Sequence, residues 1–439
     1  MKCLIIAAGR GSRLQQKYCS KPLVPLLGVP IIERVIRNTA SAGIDDFYVV
    51  TGYRGKEVRS YLDELKKRCN IEITHVVNDD WEKGNGISVL KAQDKLKENF
   101  LLIMGDHLVD PGIIRKMVDQ RLPNGEIVLA VERNTNNPLV NLNDVTKVWI
   151  NNGKLGDIGK DLTRFNGFDT GVFLCSPVIF EGINESISRH EDSSLSGGVK
   201  CLTEKGKVRV WNTEGRFWID IDDPEALKKA EEALLHRLRG KNRDGPVSRY
   251  LNRPISIRLS RRLAGLPLTP NHISLISFLL SMVGAGLFFM GGYLCLLAGG
   301  IVAQVASIVD GCDGEIARLK YQESAYGGWL DAVLDRYADA FLLFGLTSHA
   351  FLIHQGLTSM FVGFMAIIGS FMVSYTADKY DRVMEKRIGK SRFRIGRDVR
   401  IFLIFLGATL NAAFWTLCLL AAVMNGEVIR RLVVCRQDE

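Results

Sequence analysis

Asp310-Gly311-Cys312-Asp313-Gly314-Glu315-Ile316-Ala317-Arg318, then Gly327, Asp331 and Asp335, is the stretch on which the reading of this 439-residue chain turns. On a helix, Asp310 and Asp313 share one face at i, i+3, and Asp331 and Asp335 share another at i, i+4. The surrounding chain is strongly apolar. Six spans can be drawn, at about 273–290, 293–310, 328–350, 359–377, 398–411 and 412–429, the fifth of them short. A bilayer crossing takes roughly 20 residues. Carboxylates inside such segments are costly and point to function. Four of them converging without four cations call for metal, and hard oxygen ligands select Mg²⁺, Mn²⁺ or Ca²⁺. Two such ions would clamp a diphosphate. The other reading of these groups is a proton or cation path through a transporter.

Outward from this stretch, Lys and Arg cluster before the first span, at 318–320, at 379–400, and at Arg430, Arg431 and Arg436. The linkers at 291–292 and 351–358 have none. Six spans with a cytoplasmic N-terminus put every basic cluster on the inner face, whereas five do not. Residues 226–243 read as a charged helix. Gly245–Pro270 interleaves Arg249, Arg253, Arg258, Arg261 and Arg262 with Tyr250, Leu251, Ile255, Ile257, Leu259 and Leu263. This suits an amphipathic helix in the headgroup interface, the alternative being a solvated linker helix. After the fourth span come Lys390, Arg392, Arg394, Arg397 and Arg400, which serve either as positive-inside anchors or as a site for an anionic acceptor.

Residues 1–235 hold 33 basic and 33 acidic side chains, and residues 236–439 hold 24 and 15, so the whole +9 excess lies in the second half. That excess is expected at the membrane surface, and no nucleic-acid partner is expected. With 47% hydrophobic residues the chain is not intrinsically disordered, and the apolar spans exclude a purely soluble protein. Nine scattered cysteines without a C-x-x-C pair exclude a disulfide framework and a zinc site. No signal peptide is expected at the N-terminus.

Residues 1–230 alternate apolar runs (Leu4–Ala8, Phe47–Val50, Leu101–Met104, Val128–Val131, Gly171–Leu174) with amphipathic stretches such as Ile31–Ala42 and Lys56–Arg68. A Rossmann-like α/β domain with a mostly parallel sheet is expected, its ligands at the C-terminal ends of the strands. The first run leads into Ala7-Ala8-Gly9-Arg10-Gly11-Ser12-Arg13-Leu14, with Lys21-Pro22 beyond. Glycines let backbone N–H groups cradle a polyphosphate. Leu14 where a third glycine should stand rules out the dinucleotide fingerprint, and no P-loop is present. Arg13 and Lys21 suit the charge of a leaving pyrophosphate.

These residues resemble the sugar-phosphate and alcohol-phosphate nucleotidyltransferases, with their A-G-x-G-[ST]-R-[LM] signature followed by K-P, over about residues 1–230. The resemblance implies that Ala8, Gly9, Gly11, Ser12, Arg13 and Lys21 hold the nucleotide, with Arg13 and Lys21 catalytic. Lys83, Asn85 and Gly86 would recognise the base. Asp106 would bind metal with Asp220 and Asp222, which lie on one strand face at i, i+2. Asp222 or Asp223 can also be read as an N-cap with Pro224 at N1. Lys160 and Asp169-Thr170-Gly171 would bind the phosphate acceptor.

The stretch D-x-x-D-G-x-x-A-R, then Gly327, Asp331 and Asp335, resembles the CDP-alcohol phosphotransferases over about 245–430. That implies Asp310, Asp313 and Asp331 as metal ligands, and Asp335 as ligand, general base or both. Gly314 and Gly327 would admit the nucleotide, Arg318 would pair with its phosphate, and Arg394, Arg397 and Arg400 would meet the acceptor phosphate.

The expected organisation is a cytidylyltransferase domain at 1–230, a linker and juxtamembrane helix at 231–270, and an all-α transmembrane domain of six helices at 271–439. The whole chain resembles the bifunctional enzymes that join these activities on inositol 1-phosphate. This implies CTP as substrate, CDP-inositol as intermediate, and a phosphorylated di-inositol phosphodiester, the precursor of a compatible solute. It also implies Mg²⁺, with Mn²⁺ as a substitute, and a homodimer through the membrane helices. The protein would be multi-pass in the cell membrane with both sites facing the cytoplasm. The rival readings are a phospholipid-synthesising second half fused to a nucleotidyltransferase for another alcohol phosphate, the same two reactions on choline or glycerol, and a membrane-anchored nucleotidyltransferase whose bundle only anchors or transports.

Overall fold

The computed structural model describes residues 1–14, 20–123, 125–240, 245–385 and 396–436. They form two compact units, Met1–Ala233 and Leu234–Glu439.

The first unit is built on a nine-stranded sheet. From one edge its strands are Glu72–Val77, Asp46–Thr51, Lys2–Ala7, Phe100–Met104, Gly167–Cys175, Ile127–Glu132, Val208–Asn212, Lys154–Gly159 and Lys147–Asn151. Cys3, Leu4 and Ile5 are fully buried, as a central strand covered on both faces requires. The helix Ile31–Ala40 buries Ile31, Ile32, Val35 and Ile36. The helix Gly55–Cys69 buries Val58, Leu62 and Leu65, one stripe at helical spacing. It stops at Asn70, which takes the left-handed conformation common just past a helix end.

The sheet is mixed rather than mostly parallel. The first four strands are mutually parallel. Gly167–Cys175 then runs antiparallel to both of its main neighbours, and Lys154–Gly159 is antiparallel to Val208–Asn212. The cause is local. Lys147–Asn151 and Lys154–Gly159 are joined at Asn152-Gly153, both at positive φ, so the chain returns by a hairpin instead of a crossover helix.

Two features of this topology place the site. Lys2–Ala7 and Phe100–Met104 are adjacent and parallel, so the glycine loop and Gly105-Asp106 emerge side by side at their C-terminal ends. A short antiparallel ribbon, His107–Val109 with Trp218–Asp220, sets Asp220 opposite His107.

The second unit is helical. After Arg253–Leu263 come Pro270–Phe289, Tyr293–Leu319, Ala325–His354, Leu357–Glu385, Arg397–Thr409 and Ala413–Arg436. Each of the six expected segments lies in one of these helices to within two residues beyond its ends. Among the described residues three are long and apolar enough to cross a membrane: Pro270–Phe289, Tyr293–Leu319 and Leu357–Ala377. The others depart for identifiable reasons. Ala325–His354 carries Asp331, Asp335, Arg336 and Asp339, and Ala413–Arg436 carries Asn425, Glu427, Arg430 and Arg431. Arg397–Thr409 has 13 residues, about 20 Å at 1.5 Å per residue. Tyr293–Leu319 runs nine residues past the expected end at 310, so Asp310 and Asp313 are helical.

Arg253–Leu263 is docked on Tyr293–Leu319 by polar groups. Asn252 accepts from Gln304 (2.9 Å) and donates to Ser307 (3.2 Å). Arg253 pairs with the fully buried Glu315 at 2.6 Å, and Ser256 donates to the same oxygen at 2.7 Å. Tyr250, Leu251 and Ile255 are left exposed.

Candidate active sites

In the first unit, Gly9, Gly11, Ser12, Arg13, Lys21, Gly105, Asp106 and Asp222 line one cleft of about 250 Å³. Gly11 sits at φ +61°, and a Cβ there would stand 2.5 Å from Lys21 Cβ, so only glycine lets the loop close over this lysine. Lys21 is buried and bridges Asp106 and Asp222 through Nζ. Burial works against its charge, but Asp106, Asp222 and Asp220 more than offset that and hold its pKa above the ordinary lysine value. Burial likewise pushes Asp106 and Asp222 upward, and Lys21 outweighs it, so both end below the usual carboxylate range. Arg13 reaches Asp222 at 3.1 Å and Asp144 at 2.6 Å.

The structure separates Asp220 from Asp222. The strand ends at Asp220, so the expected shared face is lost. Asp222 turns to the two cations, while Asp220 meets His107 Nε2 at 3.4 Å. Asp223, not Asp222, caps the next helix by accepting from Ala226 N–H. Asp106, His107 and Asp220 offer ligand atoms within 4.8 Å of one another. Asp220 Oδ1 is buried and faces His107 Nε2, and two carboxylates with an imidazole are a donor set that a divalent cation accepts. Burial raises Asp220 above the usual range. It opposes charge on His107, yet Asp220 carries that imidazole up to about 10. His107 Nδ1 pairs with Thr170 O at 2.8 Å, and Gly171, at φ +73°, leaves room for the ring. Asp169 is pushed up to about 6 by burial.

Lys83, Asn85 and Gly86 are not in the lining of this cleft. Lys83 pairs with Asp80 at 2.9 Å, Asn85 Oδ1 accepts from Leu195 N–H, and Gly86 packs on Ser193 and Ser194. Lys160 pairs with Asp144 at 2.7 Å, so one carboxylate joins Lys160 to Arg13.

In the second unit, Asp310, Asp331 and Asp335 offer oxygens within 4.8 Å of one another, an all-oxygen set that fits a hard divalent ion. Asp313 lies outside that group and accepts from Ser274 Oγ at 2.7 Å; Asp310 accepts from Ser277 Oγ at 3.1 Å. A Cβ on Gly314 would stand 3.4 Å from Arg318 Nη1. Gly327 N–H donates to Ser324, the N-cap of Ala325–His354. Arg397 reaches Asp335 at 2.6 Å, Asp310 at 2.8 Å and Asp339 at 3.1 Å. Arg400 lines a small pocket of about 10 Å³ together with Asp339 and Ser370. It is 5% exposed, pairs with Asp339 at 3.1 Å, and donates to Ser370 O and Ser370 Oγ. Arg394 lies outside the described residues.

The comparisons with known proteins follow this division. The model of the MobA-like NTP transferase domain matches residues 3–151, and that of CDP-alcohol phosphatidyltransferase matches 267–428. A bifunctional IPC transferase and DIPP synthase of Rubrobacter xylanophilus is 36% identical over 99% of this chain and 96% of its own length. The chain belongs to this family. A second family member, from Archaeoglobus fulgidus, is 35% identical over 99% of this chain and 84% of its own length. The inositol-1-phosphate CTP transferase structure from T. maritima covers 53% of this chain and 93% of its own, at 26% identity and a TM-score of 0.47. The chain is therefore a bifunctional transferase with a nucleotidyltransferase unit and a CDP-alcohol phosphotransferase unit, and its second unit is membrane-associated.

Sequence reasoning missed His107, Asp144, Ser274, Ser277 and Asp339. Asp339 had a signal: it continues the face of Asp331 and Asp335 at the same four-residue spacing. Asp144, in an asparagine-rich loop, had none.

Proposed function

We propose that this chain carries out two consecutive transfers. In the first, a phosphate oxygen of inositol 1-phosphate attacks the α-phosphorus of CTP, and CDP-inositol and pyrophosphate are formed. In the second, a hydroxyl of another inositol 1-phosphate attacks the inositol-bearing phosphorus of CDP-inositol, and CMP leaves. The product is a di-inositol phosphodiester that keeps one phosphate. The observation that carries this reading is full-length likeness to relatives named for both activities, in a chain where each unit sets a carboxylate group beside a basic side chain.

In the first site, the Gly9–Arg13 loop cradles the triphosphate, and Lys21 and Arg13 neutralise charge growing on the pyrophosphate. Lys160 and Asp169 receive the inositol phosphate. In the second, Arg318 holds the nucleotide, Asp335 takes the proton of the attacking hydroxyl, and Arg397 faces the acceptor phosphate. Mg²⁺, held by Asp106 with Asp220 or Asp222 and by Asp310, Asp313, Asp331 and Asp335, would supply charge neutralisation at the reacting phosphates.

The six helices cross the bilayer with the N-terminal domain and both sites in the cytoplasm. The exposed Leu275, Ile276, Leu279 and Val283 on the first support a lipid-facing surface. Arg253–Leu263 lies at the headgroups, and the membrane helices pair two copies. Residues 1–230, 231–270 and 271–439 serve as the domain boundaries.

Phosphorus NMR on the full chain with CTP, Mg²⁺ and one alcohol phosphate at a time tests this. Inositol 1-phosphate is expected to yield pyrophosphate, then a diphosphodiester, then CMP with a new phosphodiester. Pyrophosphate with another alcohol phosphate only, or an extractable lipid product, would replace the inositol reading.

A further inference from the structure

Arg397 reaches into the carboxylate group of the second site. Its Nη1 lies 2.8 Å from Asp310 Oδ2 and 2.6 Å from Asp335 Oδ1, bridging two of the three grouped carboxylates. Its Nε points to Asp339 Oδ1 at 3.1 Å. Asp339 is 5% exposed, and its second oxygen takes Arg400 at 3.1 Å and Ser370 Oγ at 3.4 Å. Arg336 Nη1 lies 3.9 Å from that second oxygen as well, and a carboxylate facing three guanidiniums is a poor metal ligand and a good anchor for arginine. Asp339 is also two helical turns from Asp331, on the same face.

We propose that Arg397 is the built-in counter-cation of the second site, competing with divalent ions for Asp310 and Asp335, and that Asp339 retains it at the site's edge when ions bind. This rests on the reading of that site as metal-dependent. Without ions, adjacent half-buried carboxylates repel, and the single charge of Arg397, shared between Asp310 and Asp335, offsets part of that repulsion. With ions on the same oxygens, Nη1 loses both partners and meets like charge. The Nε–Asp339 pair survives, so the freed end of the guanidinium can take an anionic phosphate. Ion binding thereby precedes assembly of the acceptor site. Asp339 is in this sense a positioning residue.

The test is Mn²⁺ binding followed by electron paramagnetic resonance, on the full chain carrying Asp106→Asn and Asp220→Asn to silence the first site. Arg397→Gln is expected to bind Mn²⁺ tighter by about tenfold, an ordinary coupling between two competing occupants. Asp339→Asn is expected to bind it more weakly, because Arg397 then has Asp310 and Asp335 as its remaining carboxylate partners. Opposite signs are what a merely structural role would not produce. Arg397→Lys, which keeps the charge but not the bridging fork, is expected to fall between parent and Arg397→Gln, and it carries the test if the glutamine variant fails to fold. Mn²⁺ binding equal to or weaker than the parent's in the folded Arg397 variants overturns the proposal. Failure of the underlying reading has its own signature: Asp331→Asn leaving Mn²⁺ binding in the parent background unchanged.

Discussion

The two sites gather similar chemistry from different kinds of structure. In the first unit the carboxylates come from distant parts of the chain: Asp106 after one strand, Asp220 on a short ribbon, Asp222 just past it. In the second, Asp310, Asp331 and Asp335 come from two consecutive helices. Each site also brings its own cation into the carboxylates, Lys21 in one and Arg397 in the other. The difference lies in what backs that cation. Lys21 is held by the two carboxylates it bridges, whereas Arg397 has a further partner in Asp339. A helix pair can place such a reserve partner by adding one more turn. The strand that carries Asp220 stops there, so it offers no further position on the same face.

Several substitutions would break or sharpen this contrast. The largest effect is expected from Asp331→Asn, which should lower CMP release from supplied CDP-inositol by about 10³-fold while pyrophosphate formation from CTP stays near the parent rate. A parallel loss of both reactions would mean that the sites are not separable. Lys21→Met should do the converse, costing about 10²-fold in pyrophosphate release and sparing the second step. Arg400→Ala should raise KM for the acceptor by about tenfold, more than for CDP-inositol, acting through Asp339 and Arg397. Steady-state kinetics with each substrate varied separates the two, and a selective loss of CDP-inositol binding would contradict that role. The smallest change belongs to Asp144→Asn. Its pairs with Arg13 and Lys160 are partly exposed, so KM for CTP should move by no more than about fivefold.

How much was legible depended on the kind of element. Helix-based features were readable because spacing along the chain maps directly to faces. Asp331 and Asp335 share a face as their spacing implied and meet Asp310, whereas Asp313, expected with them, lies outside the group; Ile31–Ala40 and Gly55–Cys69 lie within a residue or two of the expected stretches. Sheet-based features were less so. The apolar runs did mark strands, but not their order or direction: the antiparallel Gly167–Cys175 and the edge hairpin at Asn152-Gly153 came only with the fold. Asp220 and Asp222 were paired on the assumption that the strand continued, and it stops between them. Of the six expected spans, three are apolar enough among the described residues to cross a membrane by length and composition, and the carboxylates that made 310–335 informative lower the apolar character of the helix that carries two of them.

The sequence by itself determined the glycine loop with Arg13 and Lys21, the acidic pattern of 310–335, and the division into an α/β half and a helical half. Those are matters of residue type and near-neighbour spacing, which the chain carries locally. Only the tertiary structure decided that His107 joins Asp106 and Asp220, that Asp144 links Arg13 to Lys160, and that Arg400 turns inward to Asp339. Apart from the adjacent Asp106 and His107, each of those is an electrostatic pairing between groups well separated in sequence. A buried charge takes the nearest opposite charge that the fold presents, and which one that is depends on how strands and helices pack.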